Sequence, residues 1–233
     1  MSRTLVAALF AAALAACEGA RESAPPEPRP PNLVLVVVDA LRADHLGAYG
    51  GTGAATPHLD RFAAGAALFE QARTLAPCTF PSVNALLTGR HPVRFLDQPF
   101  GHLGIPAPVA TLPEALRRAG YRTAAVSASP VVRASPSAIN RAGGFGRGFD
   151  LFLEGCTWQD GRCVTRRAAD LLALLPEPFF LYVHYLDPHD PYASPMAPEP
   201  AASGLPPWVL AGDPLPAARR LYGGGEGGGG VAA

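Results

Sequence analysis

Lysine is missing from this chain: all nineteen basic side chains are Arg, balanced by nineteen acidic ones. Nucleotide bias in the source genome is the plainest cause, but the chemical consequence stands. No ammonium group is available to hold a substrate anion. The zero net charge excludes a general polyanion-binding surface, so no nucleic-acid partner is expected and only local Arg clusters could serve such a role. No run reaches the length of a membrane span either, since the apolar stretch at residues 5–16 is too short to cross a bilayer as a mature helix. Cysteine is scarce, with four in 233 residues. What the chain does have is apolar mass: 48% hydrophobic residues bury one sizeable core, consistent with one large α/β domain.

The chain opens with a leader. Met1-Ser2-Arg3 supplies one positive charge, and the apolar run ends Leu14-Ala15-Ala16-Cys17. Small residues before a Cys at the end of such a run are similar to the bacterial lipobox, which implies a lipid on Cys17 and a periplasmic lipoprotein held at a bacterial membrane. An ordinary cleaved signal with a chance Cys is the alternative, and both imply export. Residues 18–31 are rich in Pro, Glu, Arg and Ser and read as an extended tether. Cys156 and Cys163 bracket a polar, turn-forming stretch. In an oxidising compartment a short-loop disulfide is expected there, with two free thiols the alternative.

Residues 32–38 form a continuous β-branched and apolar run ending at Asp39, the pattern of a strand buried on both faces. Helical spacing follows over 59–69, and a second helix is expected over 81–88, starting just after Thr79 with Gly89 near its end. A third spans 111–119, with Pro113 in its first turn and Gly120 as its stop. Residues 121–128 read as a strand, 164–175 as a helix and 179–185 as a second buried strand. This alternation predicts βαβ units, a mainly parallel sheet flanked by helices. The α/β domain is placed at 32–192, and residues 193–233, rich in Pro, Ala and Gly, are expected to be disordered.

Asp39 is the first candidate for chemistry. Ligands of open α/β sheets bind beyond the carboxyl ends of strands, where a carboxylate can hold a cation. By position alone, capping the next helix would be its default role. The surrounding blocks shift that weighting: Asp39-Ala-Leu-Arg-Ala-Asp-His-Leu-Gly-Ala-Tyr-Gly50, then Thr56-Pro-His-Leu-Asp-Arg-Phe-Ala63, then Pro81-Ser82 with Leu86-Leu-Thr-Gly-Arg90. In this order and spacing, from Pro31 to Tyr192, they resemble the N-terminal half of the sulfatase family of the alkaline phosphatase superfamily. That resemblance implies a central sheet, a divalent metal (Ca, Mg, Mn or Zn) at the strand ends, and a nucleophile at the start of a helix. Metal and helix dipole would together stabilise an anionic ester. It implies Asp39 and Thr79 as metal ligands and Thr79 as the catalytic nucleophile, which metal coordination would activate. The other role open to Thr79 is capping the helix that follows.

Several positions depart from the family's pattern. Typical sulfatases carry Cys-x-Pro-x-Arg with the Cys converted to formylglycine; here Thr79 stands at the nucleophile and Val83 at the Arg, so no formylglycine is expected. Cys78 is out of register with Pro81 and is expected to be a packed thiol. A second Asp is replaced by Ala40. Ser127-Ala-Ser-Pro130 stands where a Gly-Lys-Trp-His block is usual, which shifts weight from sulfate monoesters towards phosphorus esters.

The last block, Phe179-Phe-Leu-Tyr-Val-His-Tyr-Leu-Asp-Pro-His-Asp-Pro-Tyr192, delivers His184, Asp187 and His189 to a strand end. By the resemblance His189 protonates the leaving oxygen, and His184 and Asp187 support it or the metal. Without the resemblance, a His on an apolar strand is more often a satisfied core residue. Relatives draw further metal ligands from a later Asp-His or Asp-Asn block, and nothing after Tyr192 matches one. The expectation is therefore a C-terminally truncated hydrolase of anionic sulfate or phosphate esters, weakly active or inactive as written. Phosphodiester cleavage or phosphoryl transfer is one alternative, and a non-catalytic lipoprotein domain binding anionic glycans is the other.

Overall fold

Four strands rich in apolar and β-branched residues form one sheet: β1 Leu33–Val38, β2 Arg122–Ser127, β3 Leu151–Leu153 and β4 Phe179–Tyr185. Their order is β1-β4-β2-β3, and every pairing is parallel. Parallel neighbours need crossovers. Helices α1 Pro57–Ala64, α2 Thr79–Thr88, α3 Leu112–Arg118 and α4 Gly161–Leu174 lie between them in sequence. This is the expected α/β architecture. β3 was absent from the sequence reading because three residues carry no periodicity. The computed structural model describes residues 29–53, 55–91, 104–136, 140, 143–157 and 159–189. The leader with Cys17, nearly all of the 18–31 tether and the 193–233 tail lie outside them.

Strand alternation sorts the core into two layers. On one face, Ala124, Val126, Leu181 and Val183 pack with Val164, Ala168 and Leu171 of α4. On the other, Ala125, Phe180 and Tyr182 pack with Val83 and Leu87 of α2 and with Phe145 and Phe149, and Leu35 and Val37 of β1 join this layer. Phe149 stacks on Phe180, with centroids 5.9 Å apart.

β1 corrects the expectation of a strand buried on both faces. Val34 and Val36 are 49% and 54% exposed. The reason is position: β1 ends the sheet order among the described strands, and only its Leu35–Val37 face is packed. Helix α1 also ends earlier than its spacing suggested, at Ala64, where Gly65 breaks the run. Helix α2 begins two residues earlier than expected and stops at Gly89, which takes the left-handed conformation at φ 65°. Helix α3 starts from a capping box in which Thr111 Oγ1 accepts from the Glu114 N–H and the Thr111 N–H donates to Glu114 Oε2.

Candidate active site

Asp39 directly follows β1, and its N–H donates to the Tyr185 carbonyl at 2.9 Å, extending the parallel ladder by one residue. It shares strand parity with Leu35 and Val37, so it lies on the α2 face. Ala40 then takes φ 58°, a left-handed conformation that costs a non-glycine residue of order 1–3 kcal/mol and swings the chain sharply off the strand. From the other side comes α2. Its N-cap is Cys78 and its first residue is Thr79, whose side chain makes no capping bond. Instead Thr79 Oγ1 donates to Asp39 Oδ2 at 2.8 Å, across forty residues of sequence. Anchoring by buried Val83 and Leu87, one and two turns further along, holds the helix start at that point.

Beneath the pair lies His184, fully buried on β4. Its Nε2 stands 3.5 Å from Asp39 Oδ2, an electrostatic contact at the outer limit of hydrogen bonding. Its Nδ1 is 3.1 Å from the hydroxyl of buried Tyr182. Residues 182 and 184 share a strand face, a parity visible in the sequence although Tyr182 was not singled out. Burial pushes the Tyr182 phenol far above its usual range, and the Asp39 charge adds to this, so the hydroxyl stays neutral. The network is satisfied when Tyr182 donates to Nδ1 and the Nε2 proton points at the carboxylate. Partial burial by itself raises the Asp39 carboxyl, but bonds from His184 and Thr79, then the charges of His184 and His189, outweigh it and hold the group below its ordinary range. Asp39 is therefore a persistent anion with an oriented hydroxyl against it.

The remaining candidates are distributed less tightly. His189 is partly exposed and near enough to influence the Asp39 charge. Asp187 turns its Oδ1 to the Gly161 N–H at 2.9 Å, at the start of α4, and no contact joins it to Asp39 or Thr79 among the described residues. Cys156 and Cys163 are joined by a disulfide with Cα atoms 5.7 Å apart. Cys78 contradicts the packed-thiol expectation: it is free and exposed, because the N-cap position lies outside the packed turns of the helix. Val83, at the Arg position of the family pattern, is a core residue at 4% exposure. The Ser127 and Ser129 hydroxyls are engaged within their own turn, Ser127 donating to the Val132 carbonyl and Ser129 accepting from the Val131 and Val132 N–H groups.

As for a metal, a persistent carboxylate, a hydroxyl and an unsatisfied buried His184 Nε2 come together here. Among the described residues, however, no group of three or more His, Cys, Asp or Glu side chains could hold an ion. These residues alone fall short of what a divalent ion requires.

The family model described as Sulfatase matches residues 31–207. Mouse (Mus musculus) steryl-sulfatase is 38% identical over 136 residues, which make up 53% of this chain and 22% of that protein. The chain thus spans about a fifth of the length of such relatives. A solved sulfatase-fold structure in complex with its substrate D-glucosamine-2-N,6-O-disulfate aligns with a TM-score of 0.58 at 22% identity, over 75% of this chain and 40% of the other. The phosphonate monoester hydrolase of Agrobacterium radiobacter aligns with a TM-score of 0.54 at 20% identity, over 72% and 43%. At these identities the structural likeness speaks to the fold alone.

Proposed function

The chain belongs to the sulfatase family, and from that premise we propose that it carries the nucleophile half of an ester-hydrolase site, acting on anionic sulfate or phosphate esters. One observation carries the reading: the Thr79 hydroxyl lies 2.8 Å from Asp39 Oδ2 at the mouth of α2, over the buried His184–Tyr182 pair. Thr79 Oγ1 attacks the sulfur or phosphorus, and the N–H groups at the start of α2 face the charge that develops on the ester oxygens. The Thr79 proton leaves along the existing bond to Asp39, while His189 protonates the departing alkoxide to give the alcohol. Water then releases the acid from Thr79. A carboxylate held low is a weak base, so Asp39 serves chiefly to orient the hydroxyl. A divalent ion would need ligands beyond the described residues, and no step here is routed through one.

Two observations favour phosphorus esters as a second reading. The serines at 127 and 129 are consumed by their own turn, and no lysine exists to grip a bare sulfate. The test is hydrolysis of an aryl sulfate, an aryl phosphodiester and an aryl phosphonate by wild type and Thr79→Ala. Turnover abolished by Thr79→Ala and partly kept by Thr79→Ser supports the hydrolase. Folded protein that turns over none of the three but binds a sulfated glycan identifies a non-catalytic domain. Export with a lipid on Cys17 belongs to the same proposal. It rests on Leu14-Ala15-Ala16-Cys17, and fatty-acid labelling that persists in Cys17→Ser would remove it.

A further inference from the structure

The connection from β3 to α4 reaches the candidate active site at two points. Gln159 Nε2 donates to the His189 carbonyl at 2.5 Å, and Gly161, the first residue of α4, donates its N–H to Asp187 Oδ1 at 2.9 Å. These contacts grip both ends of the turn that follows β4, which the His189 N–H closes on the Leu186 carbonyl at 2.9 Å.

Three features fit the connection to this task. Gln159 takes φ 67°, in the left-handed region that glycine enters most readily, yet it is only 4% exposed. Glycine would adopt that backbone with less strain, so what glutamine adds is an inward-facing amide. At Gly161 a Cβ would stand 2.7 Å from both Asp187 carboxylate oxygens, so the close approach of helix and carboxylate requires glycine. Finally, the Cys156–Cys163 bridge closes the loop around Gln159, and Asp160 caps α4 by accepting from the Cys163 N–H at 3.0 Å. The loop therefore enters the helix in one conformation.

We propose that Gln159 is a positioning residue: the disulfide-closed loop presents its amide to the His189 carbonyl and so sets where the His189 ring stands relative to Thr79 and Asp39. The proposal rests on the reading of His189 as the leaving-group acid. A general acid must lie within hydrogen-bond reach of its target, and misplacement by one ångström costs about 100-fold in rate.

Two full-length variants test it. Gln159→Gly keeps the backbone conformation and removes the amide, whereas Gln159→Glu keeps the shape and removes the N–H donors. Amide hydrogen exchange at His189 is expected to quicken on the order of 10-fold in both, with β4 and α4 unchanged. Unchanged protection at His189 would overturn the proposal. So would faster exchange throughout β3 and α4, which would mark Gln159 as a support for the loop's own fold. With an ester that wild type hydrolyses, kcat should fall by about 10-fold to 100-fold while KM stays within about twofold, and an unchanged kcat refutes the role. Should wild type hydrolyse nothing, the hydrolase reading fails, and the exchange comparison still decides whether Gln159 holds the turn.

Discussion

Consider a double-mutant cycle on the pair beneath Asp39. Tyr182 and His184 are both fully buried, with the hydroxyl 3.1 Å from Nδ1. Tyr182→Phe removes the hydroxyl and leaves Nδ1 buried without that partner, at a cost of about 1–3 kcal/mol. His184→Leu keeps an apolar side chain in the layer but orphans the Tyr182 hydroxyl, with a similar penalty plus imperfect packing. The double variant contains neither orphan. Its cost should therefore be smaller than the sum of the two single costs by about 1 kcal/mol or more. Urea unfolding at neutral pH with the disulfide intact measures this. With a slope of about 2 kcal/mol per molar urea, the non-additivity appears as a midpoint difference of roughly 0.5 M. If the single costs add within about 0.5 kcal/mol, the two groups share no bond in solution, and the chain of contacts supporting Asp39 is refuted.

Leu87→Ala empties a fully buried position that anchors α2. It should cost about 2–5 kcal/mol in the same unfolding assay and reduce any hydrolysis that depends on Thr79. Thr111→Ala removes the α3 capping box and the bond to the Arg147 carbonyl, with an expected loss of about 1–2 kcal/mol read by thermal unfolding. The pH dependence of Asp39 follows from its lowered folded-state value. The stabilisation is fully present above the ordinary carboxylate range and is lost as pH falls through the still lower folded value. In metal-free protein the stability gap between wild type and Asp39→Asn should be flat above about pH 5 and should shrink below about pH 4. A gap that widens on acidification would show that burial, which pushes the other way, wins.

The sequence alone determined the alternation of strands and helices, because continuous apolar runs and helical spacing are local patterns enforced by burial. It also placed Asp39 at a strand end and Thr79 at a helix start, since a strand's last residue and a helix's first turn are marked by nearby composition, and it paired Cys156 with Cys163 across a short loop. Tertiary structure decided the rest. The order β1-β4-β2-β3 leaves β1 at an end of the sheet among the described strands, so two valines that read as core face outwards. Cys78 fell outside the packing for a similar reason, since adjacency in the chain does not set depth. The joining of Thr79 to Asp39, the Tyr182 hydroxyl under His184 and the Gln159 amide on the His189 carbonyl depend on how separate elements are stacked and turned. Such contacts leave no local periodicity; they exist only once the sheet has brought its strand ends together.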